Sequence, residues 1–234
     1  MIVVTGASQN HSKTLSKMIG TFVKFHGSED NMKLIVYNLG IEKKTWEELM
    51  NKYKEVENIY YKMFDYSLYP SYFDVNVKAG EYAWKPVIIY DECKKSGEDL
   101  VVWMDSGNEI EERLIELKKF TRINGVYSGQ TRGNIDQWTH HRTIEYMDAK
   151  NTGDRMRNGA CVAFNYSIDW VKTFVKEYRD LACIKECIAP EGSSRSNHRQ
   201  DQSVLSILFY KYHRKYNFEY TKKFLGFGIQ RDCG

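Results

Sequence analysis

Two carboxylates stand where an acid can do chemistry. Asp105 directly follows an apolar run, Val101-Val102-Trp103-Met104, and precedes Ser106-Gly107. A run of that kind reads as a buried strand, and an acid at its tip must find water, a helix N-terminus or a cation. Gly107 lets the backbone turn sharply and lets a ligand come close. An Asp so placed can hold a divalent cation against a diphosphate; equally, it can cap the turn that follows. Asp201 opens a stretch with an apolar stripe, where a first-turn carboxylate is favoured by the helix dipole. It can serve as a reactive acid or as an N-capping one. The segment before it, residues 191–200, is polar, rich in Gly and Ser, and carries Arg195, His198 and Arg199. A loop like this can close over a diphosphate, with arginine supplying paired donors; the plainer reading is an exposed basic loop.

Other candidates are weaker. Lys85 is suited to a phosphate or to solvent. His198 is a metal ligand, a phosphate donor or a surface residue. His140 and His141 are adjacent, so their side chains diverge on a strand or a helix and do not ligate one metal together. The five cysteines (93, 161, 183, 187 and 233) form an odd set without a CxxC pair, which reads as reduced thiols in a cytoplasmic setting.

The elements that must position these residues alternate in type. Apolar β-branched runs predict strands over 2–5, 33–38, 100–104 and 159–164. Helical spacing predicts helices over 12–25, 45–57, 86–95, 109–120, 168–181 and 202–212. Ser12 and Thr45 are the expected N-caps, Glu48 completes a capping box with Thr45, and Pro86 stands at the first helical position. Strands alternating with helices imply an α/β fold with a mostly parallel central sheet. Ligands then lie at the carboxyl ends of the strands, near 6–10, 38–40 and 105–108.

Length and composition narrow the class. At 234 residues and 42% hydrophobic content, one domain over 1–234 is expected. A net charge of +3 with 28% charged residues speaks against a nucleic-acid partner. No segment is apolar for long enough to span a membrane, and the first residues do not read as a signal peptide. The 17 tyrosines suit an aromatic-lined carbohydrate cleft or a large core with its rim.

Trp84-Lys85-Pro86, a helix, and then Val102-Trp103-Met104-Asp105-Ser106-Gly107 resemble a group of viral, bacterial and animal glycosyltransferase-like proteins of GT-A type. Trp138-Thr139, Asn158-Gly159-Ala160-Cys161-Val162-Ala163-Phe164 and His198-Arg199-Gln200-Asp201-Gln202-Ser203-Val204-Leu205-Ser206 follow in the same order. The last block also resembles the helix start of glycogenin-like enzymes. Asp105 stands where most GT-A enzymes carry the first Asp of a DxD metal motif; Gly107 stands in place of the second. The resemblance implies a GT-A fold, with a nucleotide-binding half over about 1–110 and an acceptor and catalytic half over about 111–234, and transfer of a sugar from a nucleotide-sugar, a UDP-sugar, to a glycan or other hydroxyl acceptor. It implies Mn²⁺ or Mg²⁺ on Asp105 and His198 and no organic cofactor. Donor contacts are expected from Thr5, Gly6, Ala7, Ser8 and Asn10, from Asn38, and from Lys85, Asp105, Ser106 and Gly107. Sugar or acceptor contacts are expected from Asn158, Gly159, His198, Arg199 and Gln202, with Asp201 catalytic. Two further readings stand beside it. One is a GT-A-like module that binds glycans or nucleotides without turnover, which the absent second Asp favours. The other is a short-chain dehydrogenase, suggested by Thr5-Gly6-Ala7-Ser8 and the Tyr90/Lys94 pair, although Asn10 and Ser12 replace the glycines that family needs.

Overall fold

A computed structural model describes residues 1–29, 31–97 and 99–229. The first strand, β1 (Ile2–Ala7), is buried at all six positions. It lies between two parallel neighbours with both faces covered, which requires a continuous apolar run and not an alternating one. Helix α1 (Ser12–His26) follows, then β2 (Lys33–Asn38), α2 (Lys43–Lys52), β3 (Ile59–Met63), α3 (Trp84–Lys95) and β4 (Leu100–Met104). The second half runs β5 (Asn108–Ile110), α4 (Ile115–Asn124), β6 (Val126–Asn134), α5 (Ile135–Trp138), α6 (His141–Tyr146) and β7 (Arg155–Asn165). It closes with α7 (Asp169–Ala182), α8 (Lys185–Ile188), α9 (Gln200–Tyr216) and β8 (Phe227–Ile229).

Six strands form one sheet in the order β3-β2-β1-β4-β7-β6. The first four are parallel; β7 runs antiparallel to both β4 and β6. The α/β expectation holds, and the inserted antiparallel strand departs from the all-parallel sheet of a dinucleotide-binding fold. Successive residues of β1 feed opposite faces: Val3 joins the core under α1, α2 and α4, while Ile2 and Val4 join the core under α3, α7 and α9. Helix α7 shows how such a face forms. Val171, Phe174, Val175, Tyr178 and Ala182 lie on one stripe and are all buried, and burying each large one contributes about 2 kcal/mol.

Several expected boundaries shift. Helix α2 starts at Lys43 with Glu42 as cap, and the Thr45 hydroxyl instead accepts from Gln9 Nε2 at 3.4 Å, so no capping box forms. Helix α1 is capped by His11, not Ser12. Pro86 sits third in α3, still inside the first turn, where a missing N–H costs nothing. The helix expected over 109–120 is divided: Asn108–Ile110 pairs with Phe227–Ile229 as a ribbon, and the helix begins at Ile115. A partner strand some 120 residues away supplies ladder bonds that local propensity cannot anticipate.

The approach to α3 is unusual. Lys78, Ala79, Gly80, Glu81 and Tyr82 have φ of 49°, 55°, 63°, 47° and 55°. Five successive left-handed residues cost about 1–2 kcal/mol at each non-glycine position. Contacts on both sides hold the run: the Trp84 indole donates to the Ala79 carbonyl at 3.0 Å, and Gln200 Nε2 donates to Glu81 Oε2 at 3.2 Å. Gln200 is itself left-handed, with φ of 39°.

Candidate active site

Lys85, in the first turn of α3, reaches under the sheet's carboxyl edge. Its ammonium lies 3.0 Å from Asp105 Oδ1 and 3.0 Å from Asp201 Oδ2, and it donates to the Gly159 carbonyl at 3.3 Å. An ammonium has three N–H donors, and all three are engaged. Its side chain is 4% exposed. Burial opposes its charge, but Asp105 and Asp201 outweigh that and raise its pKa. Asp201, on the first turn of α9, is pushed up by burial, with the Lys85 ammonium pulling the other way. The Tyr178 hydroxyl donates toward Asp201 Oδ2 at 3.4 Å.

The backbone of β7 builds the floor beneath this cluster. Asp105 N–H and the Asn108 side-chain amide both donate to the Ala160 carbonyl, at 2.8 and 2.6 Å. Asn158 Oδ1 accepts from Ala160 N–H at 2.7 Å. At Gly159 a Cβ would stand 3.2 Å from Asp201 Oδ2 and 3.3 Å from Gln202 Cβ. Glycine is therefore what lets helix α9 bring Asp201 down onto the strand.

These residues open into a cleft of about 620 Å³, within the range that accepts a small organic ligand. Gly6, Ala7, Ser8 and Asn10 line one wall, and Asp105, Ser106 and Gly107 lie beside them. Asn158, Gly159, Arg199, Asp201 and Gln202 form the other side. Residues from four distant segments thus converge on one cleft. The cleft also takes in Tyr82, Trp84, Asn108, Arg195 and Gln200, together with Leu39, Gly40 and Ile229. Tyr82 carried no sequence signal, because the left-handed backbone that presents it cannot be read from residue types.

Three expected site residues are elsewhere. Thr5 is fully buried inside β1 and does not reach the cleft. Asn38 is turned onto its own loop. Its Oδ1 accepts from Gly40 and Ile41 N–H at 2.7 and 2.6 Å, and its amide donates to the Ile41 carbonyl. It shapes the turn that presents Leu39 and Gly40 instead. His198 is wholly buried. Its Nδ1 accepts from His140 N–H at 3.2 Å and its Nε2 meets the Ile188 carbonyl at 2.9 Å, so the Nε2–H tautomer satisfies both.

The pKa of His198 is lowered to about 4, chiefly by burial. An unfolded histidine titrates near 6.5. Between these values the unfolded chain binds the proton and the native one does not, so stability rises with pH across this window. His198 is expected to remove about 3 kcal/mol as pH falls from 6.5 to 4. His198→Gln, which offers the same donor and acceptor without titrating, should show a shallower slope in urea melts over that range. Equal slopes would place the proton elsewhere.

The side chains alone do not build a full ligand set for a resident Mn²⁺ or Mg²⁺. Among the described residues no three His, Cys, Asp or Glu side chains converge on a point where a metal could sit. Asp105 Oδ1 already accepts from Trp103 Nε1 at 2.6 Å as well as facing Lys85. Asn108 Oδ1 lacks a partner but is sealed from solvent. Both nitrogens of His198 are taken, which corrects its expected ligand role. Cys93, Cys161, Cys183 and Cys187 are free thiols, as expected; Cys233 lies outside the described residues. The Tyr90/Lys94 pair is away from the cleft, with Tyr90 beneath the Arg179 guanidinium at 4.4 Å, so it offers no dehydrogenase site. No described helix is long and apolar enough to cross a membrane.

Residues 1–90 match a family described as a protein of unknown function, DUF1647. No curated protein matches the chain. Among solved structures, the galactosyltransferase LgtC in complex with donor and acceptor sugar analogues superposes with a TM-score of 0.63 at 13% identity, over 100% of this chain and 87% of that one. The bifunctional glycosyltransferase WbbM superposes with a TM-score of 0.60 at 15% identity, over 90% of this chain but only 37% of that one. The glycosyltransferase GlyE of Streptococcus pneumoniae TIGR4 gives 0.54 at 15% identity, over 94% of this chain and 45% of that one. At such identities the likeness shows architecture: the chain has the GT-A glycosyltransferase fold.

Proposed function

We propose that this protein transfers a sugar from a nucleotide-sugar donor, a UDP-sugar, to a hydroxyl of a glycan or similar acceptor. The carrying observation is the meeting of Asp105 and Asp201 on one buried ammonium at the strand tips, beneath a cleft of ligand size. A buried acid coupled to a buried cation in a cleft, as Asp201 is to Lys85, is the setting in which catalytic groups concentrate. The turn from Gly6 to Asn10, with Leu39 and Gly40, takes the nucleoside. Asp105, Ser106 and Gly107 border the diphosphate. Asn158, Gly159 and Gln202 surround the sugar and its acceptor, and Arg199 reaches from that side to the diphosphate.

Asp201 carries the chemistry. In an inverting course it accepts the acceptor's proton as the new bond forms. In a retaining course its fixed negative charge faces the positive charge that develops at the anomeric carbon. Lys85 holds the carboxylate in place for either. Proton NMR of the first-formed product gives the anomeric configuration and separates the two.

The activity is tested by incubating the protein with a panel of nucleotide-sugars and following nucleoside diphosphate release, with and without hydroxyl acceptors. Release from one donor, accelerated by an acceptor, is the expected result. Tight nucleotide or glycan binding without release from any donor would favour a non-catalytic module, the reading that Gly107 supports by standing where a second acid is usual in this fold.

A further inference from the structure

The cleft carries its own cation at the point where its two acids meet. We infer that donor binding here needs no divalent metal: Lys85 fills the place between Asp105 and Asp201, and the guanidiniums of Arg195 and Arg199 take the charge of the diphosphate. This rests on reading the cleft as the site for a nucleoside diphosphate.

Two sets of contacts argue for it. The first is the place of the ammonium, between the two acids and on one oxygen of each. Lys85 is fixed at 3.0 Å from each carboxylate, and its stem is anchored in the first turn of α3 between Trp84 and Pro86. A dication approaching Asp105 would meet a buried ammonium that cannot swing away, since its three donors hold Asp105, Asp201 and the Gly159 carbonyl. Like charges at such range repel strongly in a medium of low polarity.

The second is the supply of donors left over. Arg195 is exposed on the loop before α9 and gives one nitrogen to the Tyr82 hydroxyl at 3.0 Å. A guanidinium has five N–H groups, so most of its fork remains for a ligand. Arg199 sits over the Trp138 ring, its Cζ 4.1 Å from the centroid, a contact to the ring face that uses the cation's charge and none of its five N–H donors. Both line the same cleft as Asp105. Among the described residues they make, with Lys85, three lining Lys and Arg cations against two lining carboxylates, a positive surplus for an anionic ligand.

The test is calorimetric titration of UDP, GDP and ADP into the wild-type protein, once in Mn²⁺ and once in EDTA. The tightest of the three is expected to bind with the same Kd, within about threefold, in both buffers. Arg195→Ala and Arg199→Ala should each weaken it by about tenfold, the value of one charged hydrogen bond, and to the same extent in both buffers. Arg195 is on the surface, so its variant should keep the wild-type melting temperature. Affinity that collapses in EDTA would overturn this inference and leave the donor-site reading standing. Unchanged affinity in both arginine variants would overturn it as well. Failure of all three nucleotides to bind in either buffer would remove the donor-site reading and this inference together.

Discussion

Asp201→Asn is expected to lower the rate of sugar transfer by about 10³-fold, the scale lost when a positioned acid–base or charge-stabilising group is removed. Nucleotide affinity should change little, because Asp201 faces the sugar side of the cleft. Asn keeps the shape and can still accept from Lys85, which retains Asp105 and the Gly159 carbonyl as partners. Loss of one buried charge partner should cost roughly 1–3 kcal/mol. That lowers the melting temperature by only several degrees in a chain of this length, so the assay can be run on folded protein. A variant that turns over at the wild-type rate would remove Asp201 from the chemistry and leave it as a first-turn anchor for α9.

The largest effect on stability is expected at Gly80. Its φ is +63°, and a Cβ built there would lie 2.2 Å from the Phe73 carbonyl oxygen. Backbone cannot yield as a flexible side-chain tip can. Gly80→Ala therefore carries both the left-handed penalty and a clash, together about 3 kcal/mol or more, or roughly 10 °C in melting temperature. Gly97→Ala is the control. It has the same sign of φ, +68°, but nothing within 4 Å of the added methyl, so it should cost only about 1 kcal/mol. Thermal melts of the two variants decide the matter; equal losses would mean that the turn at 78–82 adapts freely. Because Tyr82, Trp84 and Lys85 follow directly, Gly80→Ala should also weaken ligand binding in protein that is still folded.

The parts of the fold that were legible share a physical cause. Strands β1, β2, β4 and β7 are buried, and continuous apolar runs report burial directly. Asp105 and Asp201 were legible because a carboxylate directly after an apolar strand, or in the first turn of an apolar helix, is conspicuous. Strand β3 was missed because it is a half-exposed edge, where Ile59 alone is buried. Strand β6 was missed because its second half, Gly129 to Asn134, is polar and irregularly paired. Asn38 and His198 were misplaced for a common reason. Each is a polar side chain whose partners are backbone groups of its own loop or of distant ones, and residue type does not reveal whether a hydrogen-bonding group is spent internally. The role of Lys85 was half visible. Its place before the helix stood out, but its three acceptors come from the turn after β4, from β7 and from α9, which only the folded chain brings together.

That last arrangement has a consequence for the order in which the molecule can assemble. During synthesis the parallel strands β1, β2, β3 and β4 emerge first, and Lys85 and Asp105 are present once β4 is made. The Gly159 carbonyl follows some 50 residues later and Asp201 about 40 after that, while the ribbon that closes the rim waits for residues 227–229. Contacts so far apart in the chain pay a large loop-closure entropy and form late. Until they form, the amine on α3 lacks two of its three acceptors and is free to take up solvent. Burial of that amine therefore requires the chain through Asp201: one that stops short of α9 offers the ammonium a single carboxylate in place of two.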